Sequence, residues 1–237
     1  HYVDGLNDKK KGRIGYSLKI CPDGFAFGNF RNFRTGEHGK WNSVSLTEKA
    51  SPEFIKRIRS EEIRIQTERE ALYSKVAKEA EAKWELAGDA SPDHPYLVAK
   101  KIKPLGLRQE HDALLAPVYI NFKLFGVQSI YPDGSKYHLK GCKKKGGWYE
   151  IPGKAEKILV CEGVATGHTL HEATGYKVYV CFDAANIVDC IEKIASLNQE
   201  SVIIVCADND SLSKKQDGTP FNAGVSLGGR PENPRAV

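Results

Sequence analysis

The sequence predicts an α/β protein: a Rossmann-like parallel sheet with flanking helices over residues 155–237, preceded by a mixed α+β region with a long helix over residues 1–154. Three observations predict it. From Lys157 onward, near-continuous apolar runs alternate with short helical patterns, as buried parallel strands and their crossover helices require. After Pro52 no glycine or proline occurs until Gly88, so a helix can run unbroken over residues 52–87. Before it, residues 12–42 alternate aromatic or apolar residues with polar ones.

That first stretch is broken by the turn signals "PDG" (Pro22 to Gly24) and "RTGEHG" (Arg34 to Gly39), which predicts a small antiparallel β unit. Ser51 is a plausible N-cap with proline at the first helical position. Behind it Ala, Glu, Lys and Arg dominate, and Phe54, Ile58, Ile65, Leu72, Val76, Ala80 and Trp84 approximate one stripe. A helix of this length spans ~50 Å, and its narrow seam suits a strut packed on the core. "GDASPDHPYL" (Gly88 to Leu97) is a linker or turn. Residues 113–151 return to strands as "ALLAPVYI", "KLFGVQSIY", "KYHLKG" and "GWYEI".

In the C-terminal part "KILVCEG", "KVYVCFDAAN" and "SVIIVCADND" read as three buried strands, with "TGHTLHEATG" and "IVDCIEKIASLN" as the helices between them. In such a sheet the carboxyl ends of the strands form the ligand-binding edge. Acidic residues fall at all three ends: Glu162, Asp183, and the pair Asp208 and Asp210. Extended backbone alternates its side chains, so Asp208 and Asp210 point the same way. Carboxylates held close together repel unless a cation lies between them, and a hard divalent ion, Mg²⁺ first, resolves the conflict. Phosphoryl or nucleotidyl transfer is the chemistry implied.

Composition narrows the classes. Hydrophobic residues are 41% and charged residues 27%. No apolar run approaches the roughly 18 residues a membrane span needs, and the start has no apolar signal-peptide core, so a soluble cytoplasmic protein is expected. Six scattered cysteines without CxxC spacing fit buried reduced thiols and no zinc ribbon. Residues 1–154 hold 28 Lys and Arg against 19 Asp and Glu, whereas residues 155–237 hold 7 against 11. A basic half beside an acidic half suits an enzyme that handles a polyanion around a cation centre. Lys136, His138, Lys140, Lys143, Lys144 and Lys145, interleaved with Tyr137, Trp148 and Tyr149, form the densest basic-aromatic cluster, able to neutralise phosphates and stack on bases. A solvated lysine loop beside buried aromatics is the plain alternative.

"ILVCEGVATGHTL" followed by "VIIVCADND" resembles the two signature motifs of the Toprim domain. With "HPYLVAKKI", "GVQSIYPDGSKYHLKGCKKKGGWYEIPG" and "CFDAANI", the chain is similar to the Toprim primases of conjugative plasmids, phages and mobile elements, over roughly Gly12 to Gly224. The resemblance implies a DNA primase: Mg²⁺- or Mn²⁺-dependent synthesis of RNA primers from NTPs on single-stranded DNA, with a replicative helicase as a further partner. It implies Glu162 as general base or metal-water contact and Asp208 and Asp210 as metal ligands, these three being the catalytic set. Lys136, Lys140, Lys144 and Lys145 become the residues that contact nucleotide or nucleic acid.

Two departures stand out. Thr166 occupies the position where many cellular primases carry an aspartate, which points to weaker or water-mediated metal binding there. No further acidic motif follows the paired aspartates, and "NAGVSLGGRPENPRAV" is too rich in glycine and proline for a long closing helix. The chain also begins at His1 with no methionine, where about five would be expected. A fragment lacking part of its apparatus, or a sequence from which modified methionines were dropped, is therefore expected. Asp183 either shapes the site or caps the following helix, with Asn186 as the alternative cap. His168 and His171 read as surface or packing residues. A Toprim nuclease and a non-catalytic single-stranded-DNA binding module are the alternative functions.

Overall fold

A computed structural model describes residues 2–3, 14–20, 26–32, 37–43 and 52–207. The chain divides into two compact units, residues 1–67 and 68–237. In the first, β1 (Tyr2–Val3), β2 (Ile14–Ile20), β3 (Ala26–Asn32) and β4 (His38–Asn42) make an antiparallel sheet in chain order. Its central glycine has a steric reason. A Cβ on Gly28 would lie 2.0 Å from the Ser17 carbonyl oxygen and 3.1 Å from Trp41 Nε1.

The helix α1 (Pro52–Leu86) is unbroken for 35 residues, as the absence of internal glycine and proline predicts. Its seam is buried only toward the C-terminal end. Val76, Ala77 and Ala80 are buried, whereas Leu72 is exposed and Ile65 half-buried; the Phe54 and Ile58 side chains lie outside the described set. The last turns belong to the second unit. Arg108 donates to the Trp84 carbonyl and stacks 4.8 Å from the Trp84 ring, and Lys83 pairs with Glu110.

That second unit holds two sheets. One is antiparallel, in the order β5 (Gly88–Asp89), β6 (Arg108–Glu110), β7 (Ala113–Ile120), β8 (Lys123–Ile130) and β9 (Lys136–His138). The other runs β10 (Tyr149–Ile151), β12 (Tyr176–Val180), β11 (Lys154–Cys161), β13 (Val202–Cys206). Here β11, β12 and β13 are parallel, and β10 runs antiparallel to β12, so the sheet is mixed. Backbone bonds in both directions between Tyr119 and Trp148, 2.8 and 3.0 Å, join the two sheets.

The apolar strands are continuous because both faces are covered. Leu159, Cys161, Val178 and Val180 enter a core with Tyr96, Leu97 and Val164, the side occupied by α2 (Pro95–Lys100) and α3 (Val164–Thr174). Ile158, Val160, Tyr179 and Cys181 enter a second core with Ile187, Cys190 and Ile194 of α4 (Ala184–Leu197). Adjacent residues thus belong to opposite cores, as the twofold alternation of a strand dictates. Between strand and helix, Gly167 permits close approach, since a Cβ there would lie 2.5 Å from Val180 Cγ2. Cys161, Cys181 and Cys190 are buried and Cys142 and Cys206 half-buried, all free thiols. Burial pushes Cys142 up to about 11. Among the described residues no helix is long and apolar enough to cross a membrane.

Candidate active-site cleft

The order β12, β11, β13 makes the chain reverse its direction of travel across the sheet at β11, the switch point at which open α/β sheets open a crevice beyond the strand ends. Glu162 follows β11 immediately, and Gly163, which has no side chain to serve as a cap, is the N-cap of α3. The register sets Cys206 beside Cys161, so β13 ends at the same edge as β11. Asp208 and Asp210 follow it in sequence and lie outside the described residues.

A cleft of roughly 380 Å³ opens at this edge, lined by Glu162, Gly163, Val164, Ala165 and Thr166 together with Tyr96, Lys100, Gln128, Lys136 and Phe182. Two lysines and a glutamate face it, an arrangement suited to an anion such as a phosphate. Each arrives by its own route. His94 caps α2, its Nδ1 accepting from the Tyr96 amide at 3.2 Å while its other ring nitrogen lies 3.0 Å from the Asp112 carbonyl oxygen. That cap, with Pro95 at the first helical position, sets Tyr96 and Lys100 one helical turn apart. Lys136 comes from the edge strand β9 with its ammonium 5.4 Å from the centre of the Tyr96 ring.

His138, two residues further along the same face of β9, does not join the cationic group. Burial and the nearby Lys144 hold its imidazole down to about 4, hence neutral near pH 7. Its Nε2 lies 3.1 Å from Gln128 Nε2, and its ring meets Phe182 edge-on at 5.2 Å. Phe182 itself has φ +69°, the left-handed region that bulky side chains rarely adopt.

The basic loop is placed differently from the cleft lysines. Lys144 pairs with Asp183, Lys145 with Asp189 at 3.1 Å, and Lys143 with Glu70 at 3.8 Å, while Lys140 is exposed. Asp183 caps α4, accepting from the Asn186 amide at 2.7 Å. Asn186 is buried and uses its whole amide. Its oxygen accepts from Gly146 N, and its nitrogen donates to the Gly147 and Cys181 carbonyls, each at 2.8 Å. Those bonds clamp the lysine loop to the end of β12. Thr166 lies on the first turn of α3 in the cleft, and His168 is fully buried against Tyr149, the ring nitrogen and hydroxyl 3.2 Å apart. Burial lowers His168 to about 4, so it is a packing residue and the surface alternative falls.

The structure therefore brings Glu162, Thr166 and Lys136 together, keeps Lys144 and Lys145 on α4 carboxylates, and makes Asp183 a cap. Sequence reasoning missed Lys100, Tyr96, Gln128 and Phe182. The readable signal was the spacing of Tyr96 and Lys100 behind "HP", which sets both on one face of a short helix. Among the described residues no group of three or more His, Cys, Asp or Glu is arranged to hold a metal.

Fold and cleft define an α/β protein with mixed sheets and a cationic crevice at the strand edge. The chain is 25% identical over 225 residues to a DNA primase TraC of Escherichia coli, covering 89% of this chain and 21% of that protein. It is likewise 25% identical over 216 residues to a second DNA primase TraC of Escherichia coli, covering 85% of this chain and 15% of the relative. It thus spans about a fifth or less of the length of the curated relatives it matches. No family model matches the sequence, and no solved structure matches it significantly.

Proposed function

We propose that this chain is the catalytic core of a Toprim-type DNA primase, joining ribonucleotides into RNA primers on single-stranded DNA. The observation that carries the reading is the cleft in which Glu162 meets Lys100 and Lys136 at the carboxyl edge of parallel strands, in a chain similar to primases over most of its length. In this reading residues 155–237 are the Toprim domain and residues 1–154 a basic primase subdomain, in a cytoplasmic protein of plasmid or phage type. A replicative helicase is its expected partner.

Glu162, Asp208 and Asp210 would hold Mg²⁺ or Mn²⁺. The donor set fits, since hard divalent cations take carboxylate oxygens, and the Cys161 to Cys206 pairing brings β13 to the Glu162 edge. When bound, the ion supplies charge stabilisation at the reacting phosphate. The chain's own residues do the rest. Lys136 and Lys100 neutralise the triphosphate and orient it, and Glu162 accepts the proton of the primer 3′ hydroxyl as that oxygen bonds to the α-phosphorus and pyrophosphate leaves. Lys140 supplies positive charge for the template backbone, and Lys144 and Lys145 would join it by exchanging Asp183 and Asp189 for phosphates.

The test is primer synthesis by the 237-residue chain with Mg²⁺, NTPs and a single-stranded template. Labelled di- or oligoribonucleotides are expected, lost in Glu162→Gln and in Asp208→Ala. Absence of product from the wild-type chain, or product from both variants, would overturn the reading. Degradation of DNA without NTPs would favour a nuclease instead.

A further inference from the structure

We propose that Phe182 is the stacking platform for the base of a nucleoside triphosphate whose phosphates lie on Lys100 and Lys136. The inference rests on the primase reading of the cleft and adds a base-binding side to it.

The backbone first sets Phe182 apart. It follows β12 by two residues, just past the Cys181 amide that donates to the Cys161 carbonyl at 2.9 Å, and it lines the cleft together with Glu162. At φ +69° a glycine or asparagine would sit with less strain, so the turn itself does not call for an aromatic. Core packing accounts for the ring only in part. It is only partly buried, resting against the α2/α3 core at its margin, and it lines the cleft.

The neighbours hold the ring in one plane. His138 meets it at an interplanar angle of 83°, and Gln128, beside the His138 ring nitrogen, lines the same cleft. A neutral imidazole suits this task, because it packs against the ring without adding charge beneath a base. The same cleft is lined by the cations Lys100 and Lys136, the latter over Tyr96. An aromatic ring and two lysines lining one concave space of roughly 380 Å³ match the two ends of a nucleotide. Stacking favours every base, so the platform would hold all four NTPs.

The test is calorimetric titration of the full chain in Mg²⁺ with ATP and, separately, with inorganic tripolyphosphate. Phe182→Ala should weaken ATP roughly tenfold and leave tripolyphosphate unchanged. Phe182→Asn, better suited to the left-handed backbone, should behave like Phe182→Ala, and Phe182→Tyr should keep the wild-type ATP affinity. Equal loss of both ligands, or no loss of ATP, overturns the proposal. If ATP binding depends on Phe182 but no primers form, the primase reading fails and the platform stands. If primers form and the variants bind ATP normally, the platform alone fails.

Discussion

Asn186 is the residue that holds the lysine loop to the end of β12. Three of its bonds end on backbone groups of two segments, the lysine loop at Gly146 and Gly147 and the strand end at Cys181. Removing the amide leaves buried donors and acceptors unpaired, each costing about 1–3 kcal/mol. Asn186→Ala should therefore lose at least ~2 kcal/mol in urea denaturation, with Asn186→Asp nearly as damaging because it cannot donate to the two carbonyls. Histidines give a second prediction at this scale. His138 and His168 are both held near 4 by burial, below the ordinary histidine value of 6.5. The unfolded chain then binds protons that the folded chain refuses, so their contribution is intact above about pH 6.5 and is lost as pH falls toward 4. The urea midpoint should drop across that window, and His168→Gln should flatten part of the drop; an unchanged slope would count against a neutral buried imidazole.

Elements meet at α4 and α3 in ways that single substitutions can separate. Asp183 both caps α4 and pairs with Lys144. Asp183→Ala should cost about 1 kcal/mol of stability, whereas Asp183→Asn should retain most of the cap and lose only the ion pair with Lys144. A half-exposed ion pair contributes little stability, so the two variants should differ clearly in thermal unfolding. Gly167 marks the closest approach of α3 to β12, and Gly167→Ala should cost about 1–3 kcal/mol, because the Val180 methyl has no room to withdraw between packed elements. The strands themselves were legible in the sequence, since runs such as "KILVC" leave no polar face. The β11 strand nevertheless starts at Lys154, earlier than the apolar run, because exposed residues at its start extend past a register shift to pair with Tyr176. A pattern of burial cannot announce a strand end that is not buried.

Across the whole molecule, the parts legible from sequence were those in which one segment carries its own signal. Glu162 ends an apolar strand in charge, and Lys136 lies in a basic-aromatic run. Lys100 was legible only as the partner of Tyr96 on one helix face, and Gln128 and Phe182 not at all, because each comes from a different element and only the packed sheets bring them to one cleft. The pairing of Lys144 and Lys145 with Asp183 and Asp189 has the same cause, some 40 residues of chain lying between the partners. The net charge of +5, concentrated in the first 154 residues, predicts single-stranded DNA binding that weakens by about an order of magnitude or more between 50 and 200 mM salt. Fluorescence anisotropy checks this, and the Asp208→Ala/Asp210→Ala double variant should keep the salt dependence while losing turnover. The central claim, a catalytic centre on the β11/β13 edge, is tested most directly by anomalous diffraction from crystals of the chain soaked with Mn²⁺ and ATP. The account predicts a manganese peak between Glu162, Asp208 and Asp210, with the triphosphate reaching Lys136. Manganese bound away from Glu162, or a triphosphate outside the cleft, would contradict it.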